Sequence, residues 1–133
     1  MRTTRIIAAT VLIVGTGLAL HVTHAQQTGI GRIDVLRHEL GVPGREVIQV
    51  RVDFAPGVAF PRHSHPGAEI AYVLEGTLEY QLDGKPAVTL KAGEALFIPA
   101  GAIHTAKNIG SSNAAELATY IVEKEKPLLQ IAK

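Results

Sequence analysis

Residues 57–76 read GVAFPRHSHPGAEIAYVLEG, and this stretch decides the fold. Its centre is His63-Ser64-His65, two imidazoles one residue apart. In an extended chain, residues i and i+2 point to one face, so both rings can converge on one point. Pro66-Gly67 favours a turn. Glu69 then opens a mostly apolar run, Glu69 to Glu75, which reads as a strand covered on both faces. With Glu69 pointing inward, Ala71 and Val73 share its face, and their small size would leave room beside a bound ion. Gly76 breaks the run.

A third histidine, His104, follows the turn Pro99-Ala100-Gly101. Three imidazoles and one carboxylate form a coherent set of metal ligands. The chain has no cysteine, so disulfides and thiolate ligands are excluded. Any metal must be held by nitrogen and oxygen. His38, between Arg37 and Glu39, reads as a surface side chain.

On either side of the histidines the chain reads as strand and turn. Arg32 to Leu40 is a strand closed by Gly41-Val42-Pro43-Gly44. Glu46 to Phe54 alternates, with Ile48, Val50, Val52 and Phe54 against Gln49, Arg51 and Asp53, the period of a half-buried strand. Thr77 to Leu82 alternates again, and Asp83-Gly84 signals a hairpin to Pro86–Leu90. Leu96-Phe97-Ile98, Ile103 to Ile109 and Leu117 to Val122 complete the strands. The tail from Glu123 fits either a short helix or an edge strand. Short strands with frequent turns point to one all-β sandwich or barrel, and 133 residues suffice for one domain.

The first 25 residues differ in kind. Arg2 and Arg5 give a positive start, and Ile6 to Leu20 is an apolar run broken only by Thr10, Gly15, Thr16 and Gly17. Thr23-His24-Ala25 then presents small residues at its first and third positions. This is the layout of a secretory signal peptide cleaved after Ala25. A spanning helix wants ~20 apolar residues. The expectation is a signal at 1–25, a domain at 26–133, a periplasmic or secreted product, and no membrane attachment after cleavage. His21 and His24 would leave with the signal. The remaining chain has 11 basic against 12 acidic side chains and no basic run, which argues against nucleic acid as a partner.

The motif spacing resembles the cupin superfamily. Gly57, His63, His65, Glu69 and Gly76 match the first cupin motif in spacing, and Gly93, Pro99, Gly101, His104 and Asn108 match the second. Sixteen residues separate the two, as in small single-domain bacterial cupins. The resemblance implies a jelly-roll β-barrel (a double-stranded β-helix) with His63, His65, Glu69 and His104 as ligands of one divalent transition metal. Manganese, iron, nickel, zinc and copper all suit nitrogen and oxygen donors. It further implies a structural role for Asn108 and a homodimer, with the Arg32–Leu40 strand as candidate for edge pairing or exchange.

Four protein ligands on an octahedral ion would leave two positions for water, dioxygen or substrate. The resemblance to quercetin-dioxygenase-like cupins implies a dioxygenase acting on a small chelating organic molecule, with Glu69 doubling as a base if it detaches. Isomerisation or decarboxylation of a small acid or sugar fits the same ligands. A non-catalytic protein that captures a metabolite or metal chelate, and a barrel with metal as a staple, are the other readings. Arg51, Arg62 and Gln49 would meet an anionic substrate only if they faced inward. Three tyrosines, three phenylalanines and no tryptophan make a thin supply for stacking a large flavonoid. Neutral imidazoles are needed for binding, so metal is expected to leave below pH ~6.

Overall fold

The alternation in Arg45–Phe54 builds the first long pairing. In the computed structural model, which describes residues 28–133, this segment is β2, and β1 (Ile30–Glu39) runs antiparallel beside it. The expected signal peptide lies outside the described residues. β3 (His63–Ser64), β4 (Gly67–Glu75), β5 (Thr77–Leu82), β6 (Val88–Lys91), β7 (Ala95–Ile98), β8 (His104–Asn108), β9 (Ala114–Glu123) and β10 (Gln130–Ile131) follow. They form two five-stranded antiparallel sheets, ordered β1-β2-β9-β4-β7 and β10-β3-β8-β5-β6. The described residues contain no helix. This is the all-β jelly roll implied by the motif spacing.

The core lies between the sheets. Ile48, Val50, Val52 and Phe54 of β2 meet Leu78, Tyr80 and Leu82 of β5 and Ala118, Tyr120 and Val122 of β9. Full burial of each large apolar side chain stabilises the fold by roughly 1.5–3 kcal/mol. The sequence's inward set for β2 and β5 is the observed one.

Two features depart from the reading of the sequence, and one choice it left open is decided. β4 is covered on one face only. Ala71 and Val73 are buried, but Ile70, Tyr72 and Leu74 are 38%, 42% and 38% exposed, because nothing among the described residues packs on the outer side of this sheet. The tail is an edge strand, not a helix: β10 pairs with β3, Gln130 opposite Ser64 and Ile131 opposite His63. Finally, Gly67 is not a turn residue but the first residue of β4. A Cβ there would strike the Ile121 carbonyl oxygen and stand 2.6 Å from Val122 Cα, so the missing side chain lets β4 close on β9. Gly76, at φ 73°, makes the left-handed bend into β5.

Candidate metal centre

The two sheets bring their histidines and glutamate to one point. β3 carries His63, and His65 follows in the link to β4. His104 opens β8 and is the Cα partner of His63. Glu69 reaches in from the other sheet, on β4 between Ile98 of β7 and Tyr120 of β9. One ligand atom from each of the four residues lies within 4.8 Å of all the others. Their side chains are buried, at 2–6% exposure by residue. His38, by contrast, is exposed on β1.

Hydrogen bonding on the outer side of each ring decides what faces inward. Nδ1 of His63 lies 2.7 Å from the Pro61 carbonyl oxygen, Nδ1 of His65 2.6 Å from that of Leu128, and Nδ1 of His104 2.9 Å from that of Ala102. A carbonyl only accepts, so these contacts assign the proton to Nδ1 in all three rings. A neutral ring then presents a bare lone pair at Nε2. His65 Nε2 and His104 Nε2 each stand 3.1 Å from the same Glu69 Oε2. Acceptor facing acceptor at that distance in a buried site needs positive charge between them. His65 Nε2 and Glu69 Oε2 have no hydrogen-bond partner within the protein, the arrangement that metal-ligand atoms take.

Protons satisfy the cluster only in part. Burial opposes a charge on His104, yet the Glu69 carboxylate 3.1 Å away outweighs it and lifts His104 above the ordinary histidine value. Burial, then the charge on His104, lowers His63 to about 4. Burial works to raise Glu69, but the rings of His104 and His65, 3.1 Å away, outweigh it and bring the carboxyl to about 2. The metal-free cluster therefore retains a carboxylate and at least one neutral imidazole at pH 7. Three neutral imidazoles and one carboxylate, each nitrogen oriented by a backbone carbonyl, fit a divalent transition metal.

The interior beside the ligands is polar and aromatic. Phe60 sits edge-on to His63 with ring centroids 4.7 Å apart, and Tyr120 packs 4.6 Å from the His65 ring. The Tyr80 hydroxyl donates to the Glu116 carboxylate, which is buried. Burial, then the charge on Glu69, pushes Glu116 up to about 8. Burial also raises both tyrosine hydroxyls. Together with Arg32, these groups line a cavity of about 10 Å³, on the scale of one water. Ala71 and Val73 do share the face of Glu69, but they are packed into the core and do not open the room expected beside the ligands.

The polar residues singled out as candidates for substrate contact lie elsewhere. Arg51 bonds Asp53 and Glu75, Gln49 donates to Thr119, and Arg62 pairs with Asp83. Tyr72 is on the outer face. The polar groups that do line the cavity beside the ligands are the buried Tyr80, Glu116 and Tyr120 and the exposed Arg32. Glu116 had a signal: it continues the alternation of Ala118, Tyr120 and Val122 back by one step, and a strand begun at Leu117 omits it. Asn108 has no part in the ligand cluster. Fully buried, its amide donates to the Phe54 and Ser112 carbonyls while its side-chain oxygen accepts from Gly110 N–H.

Comparison with known proteins agrees with this architecture. The germin-like protein subfamily 2 member 2 of Arabidopsis thaliana is 40% identical over 90 residues, covering 59% of this chain and 40% of the relative. The chain spans about two fifths of the length of the curated relatives it matches. A recombinant oxalate oxidase solved in complex with glycolate superposes with TM-score 0.63 at 26% identity, over 80% of this chain and 57% of that one. A cupin-like protein of Thermotoga maritima gives TM-score 0.62 at 27% identity, over 77% and 75% of the two chains. The family model for the cupin domain matches residues 50–121, from the middle of β2 to the end of β9, and the chain belongs to the cupin family.

Proposed function

We propose that this cupin is an exported metal-dependent enzyme, dioxygenase-like, acting on a small chelating organic molecule. His63, His65, Glu69 and His104 would hold one divalent transition metal. The observation that carries the reading is the inward set of unpartnered ligand atoms, with each imidazole tautomer fixed from behind by a carbonyl. A metal held there would supply Lewis acidity and, with a redox-active ion, electron transfer to dioxygen. The protein's own part is to exclude water through Phe60 and Tyr120 and to keep the Tyr80–Glu116 pair beside the ligands. Likeness to an oxalate oxidase crystallised with glycolate supports a small oxygen-rich acid as substrate. Isomerisation or decarboxylation of such an acid uses the same ligands.

The test is elemental analysis of protein recovered from its native compartment, followed by oxygen uptake with flavonols and short hydroxy and dicarboxylic acids. About one equivalent of metal, lost in His63→Ala and His104→Ala, together with metal-dependent turnover, is the expected result. The tight cover of the four ligands favours one other reading, a binding protein without turnover. Saturable ligand binding with no product across that panel would select it.

The layout of residues 1–25 supports export, and N-terminal sequencing of the mature protein should begin at Gln26. A homodimer through the edge strand β1, with Ile33 exposed, belongs to the same proposal. Sedimentation equilibrium would report it.

A further inference from the structure

A second, larger cavity lies beside the ligand cluster. It measures about 220 Å³ and opens between β1, β2 and Leu128. Ile48, Val50 and Leu128 give it an apolar floor, and Asp34 and Arg37 flank it. The cavity at the ligands is about 10 Å³, too small for any organic molecule. A substrate body must therefore sit outside it.

Of all the residues lining the two cavities, Arg32 alone is shared. Its guanidinium stands 5.9 Å from the centre of the Phe60 ring and lies near enough to Tyr120 and Glu116 to act on their charge. A guanidinium has five donors in a planar fork, so a face resting over Phe60 leaves capacity for a carboxylate. Arg37, the other cation of the groove, is already met by Glu46 at 3.4 Å.

Resting on the metal-centre reading above, we propose that this groove is the substrate vestibule and that Arg32 clasps the carboxylate of a short amphiphilic monoanion at its inner end. The apolar part of the ligand lies on Ile48, Val50 and Leu128. Asp34 repels a second carboxylate, so monoanions are preferred over dianions. The volume is below the ~300–1,000 Å³ of sites for drug-sized ligands, which limits the occupant to a few carbons. Leu128 joins the two sites, because its side chain floors the groove while its carbonyl orients His65.

The experiment is heteronuclear NMR titration of the full chain, metal-free and zinc-loaded, with butyrate, succinate and butylamine, and metal content measured on the same samples. Butyrate should saturably shift the Arg32 side-chain resonance and the amides of Val50 and Leu128. Arg32→Gln should weaken butyrate about tenfold or more, with Arg32→Lys in between. Succinate should bind more weakly than butyrate, and Asp34→Asn should narrow that difference. Equal butyrate affinity in wild type and Arg32→Gln, or succinate preferred over butyrate, overturns the clasp whatever the metal content. A wild type that takes up no zinc but shows Arg32-dependent butyrate binding supports the clasp and counts against the metal centre.

Discussion

His63 and His104 are Cα partners across β3 and β8, and their ring centroids stand 4.2 Å apart. Two imidazolium cations at that spacing repel each other strongly in a buried site. Burial and the charge on His104 hold His63 at about 4, against 6.5 in the unfolded chain. On lowering the pH, the unfolded chain takes up this proton first. The contribution of His63 to stability is therefore complete above about 6.5 and is lost as pH falls towards about 4. Glu116, raised to about 8, acts in the opposite sense, so the test is a difference. Between pH 7 and 4.5, metal-free wild type should lose on the order of 2 kcal/mol more than His63→Gln in urea unfolding. Equal losses would remove His63 as the cause.

Asn108 should be costly to replace. Asn108→Ala strips partners from the Phe54 and Ser112 carbonyls and the Gly110 amide. The Phe54 carbonyl is buried and costs roughly 1–3 kcal/mol unsatisfied, while Ser112 and Gly110 lie at exposed positions and can turn to water, so a total loss of about 1–3 kcal/mol is expected. Denaturant midpoints at constant m-value would measure it. A loss below about 0.5 kcal/mol, the usual range for surface changes, would show that the three contacts carry no weight.

Gly67→Ala separates crowding from backbone strain. At Gly67 the added methyl meets the Ile121 carbonyl and Val122 Cα, whereas at Gly41 it meets nothing within 4 Å and is strained only by φ +73°. Gly41→Ala should cost about 1 kcal/mol. Gly67→Ala should cost roughly 2–4 kcal/mol and weaken metal binding, since β4 must leave β9 and carry Glu69 with it. Thermal denaturation of both variants, with metal titration of the second, is the check.

The Leu128 carbonyl can be tested by removing it. A chain ending at Lys126 lacks both Leu128 and β10. Loss of a group that orients a metal-bound imidazole typically lowers affinity 10–100-fold, so about that drop is expected in chelator competition. Leu128→Ala keeps the carbonyl and should stay within a few-fold of wild type. If the truncated chain bound as tightly as the full one, the carbonyl would have no role in orienting His65.

What could be read from the sequence was what depends on near neighbours. The alternation in β2 and β5 named their inward faces, and the spacing of His63, His65, Glu69 and His104 named four residues that the fold gathers. What escaped depends on distant partners. An apolar run such as β4 reads the same whether a second layer covers it or only solvent does. The two-residue pairing of β10 with β3 has no period to detect. Glu116 looks like a surface charge in sequence, because the group that accommodates it inside the barrel, Tyr80, comes from another strand, and Arg32, though exposed, reaches the cavity edge over Phe60.

Synthesis runs from the amino terminus, and all four candidate ligands are made before Leu128. Until that carbonyl arrives, nothing holds the His65 proton on Nδ1, and either ring nitrogen can meet an ion. A nascent chain thus possesses every ligand before it possesses a site. Docking of β10 on β3 closes that interval, and an ion that arrives earlier meets an unsorted set of nitrogens. The tautomer of His65 thus depends on the segment that ends in β10, a part of the chain outside the four ligands themselves.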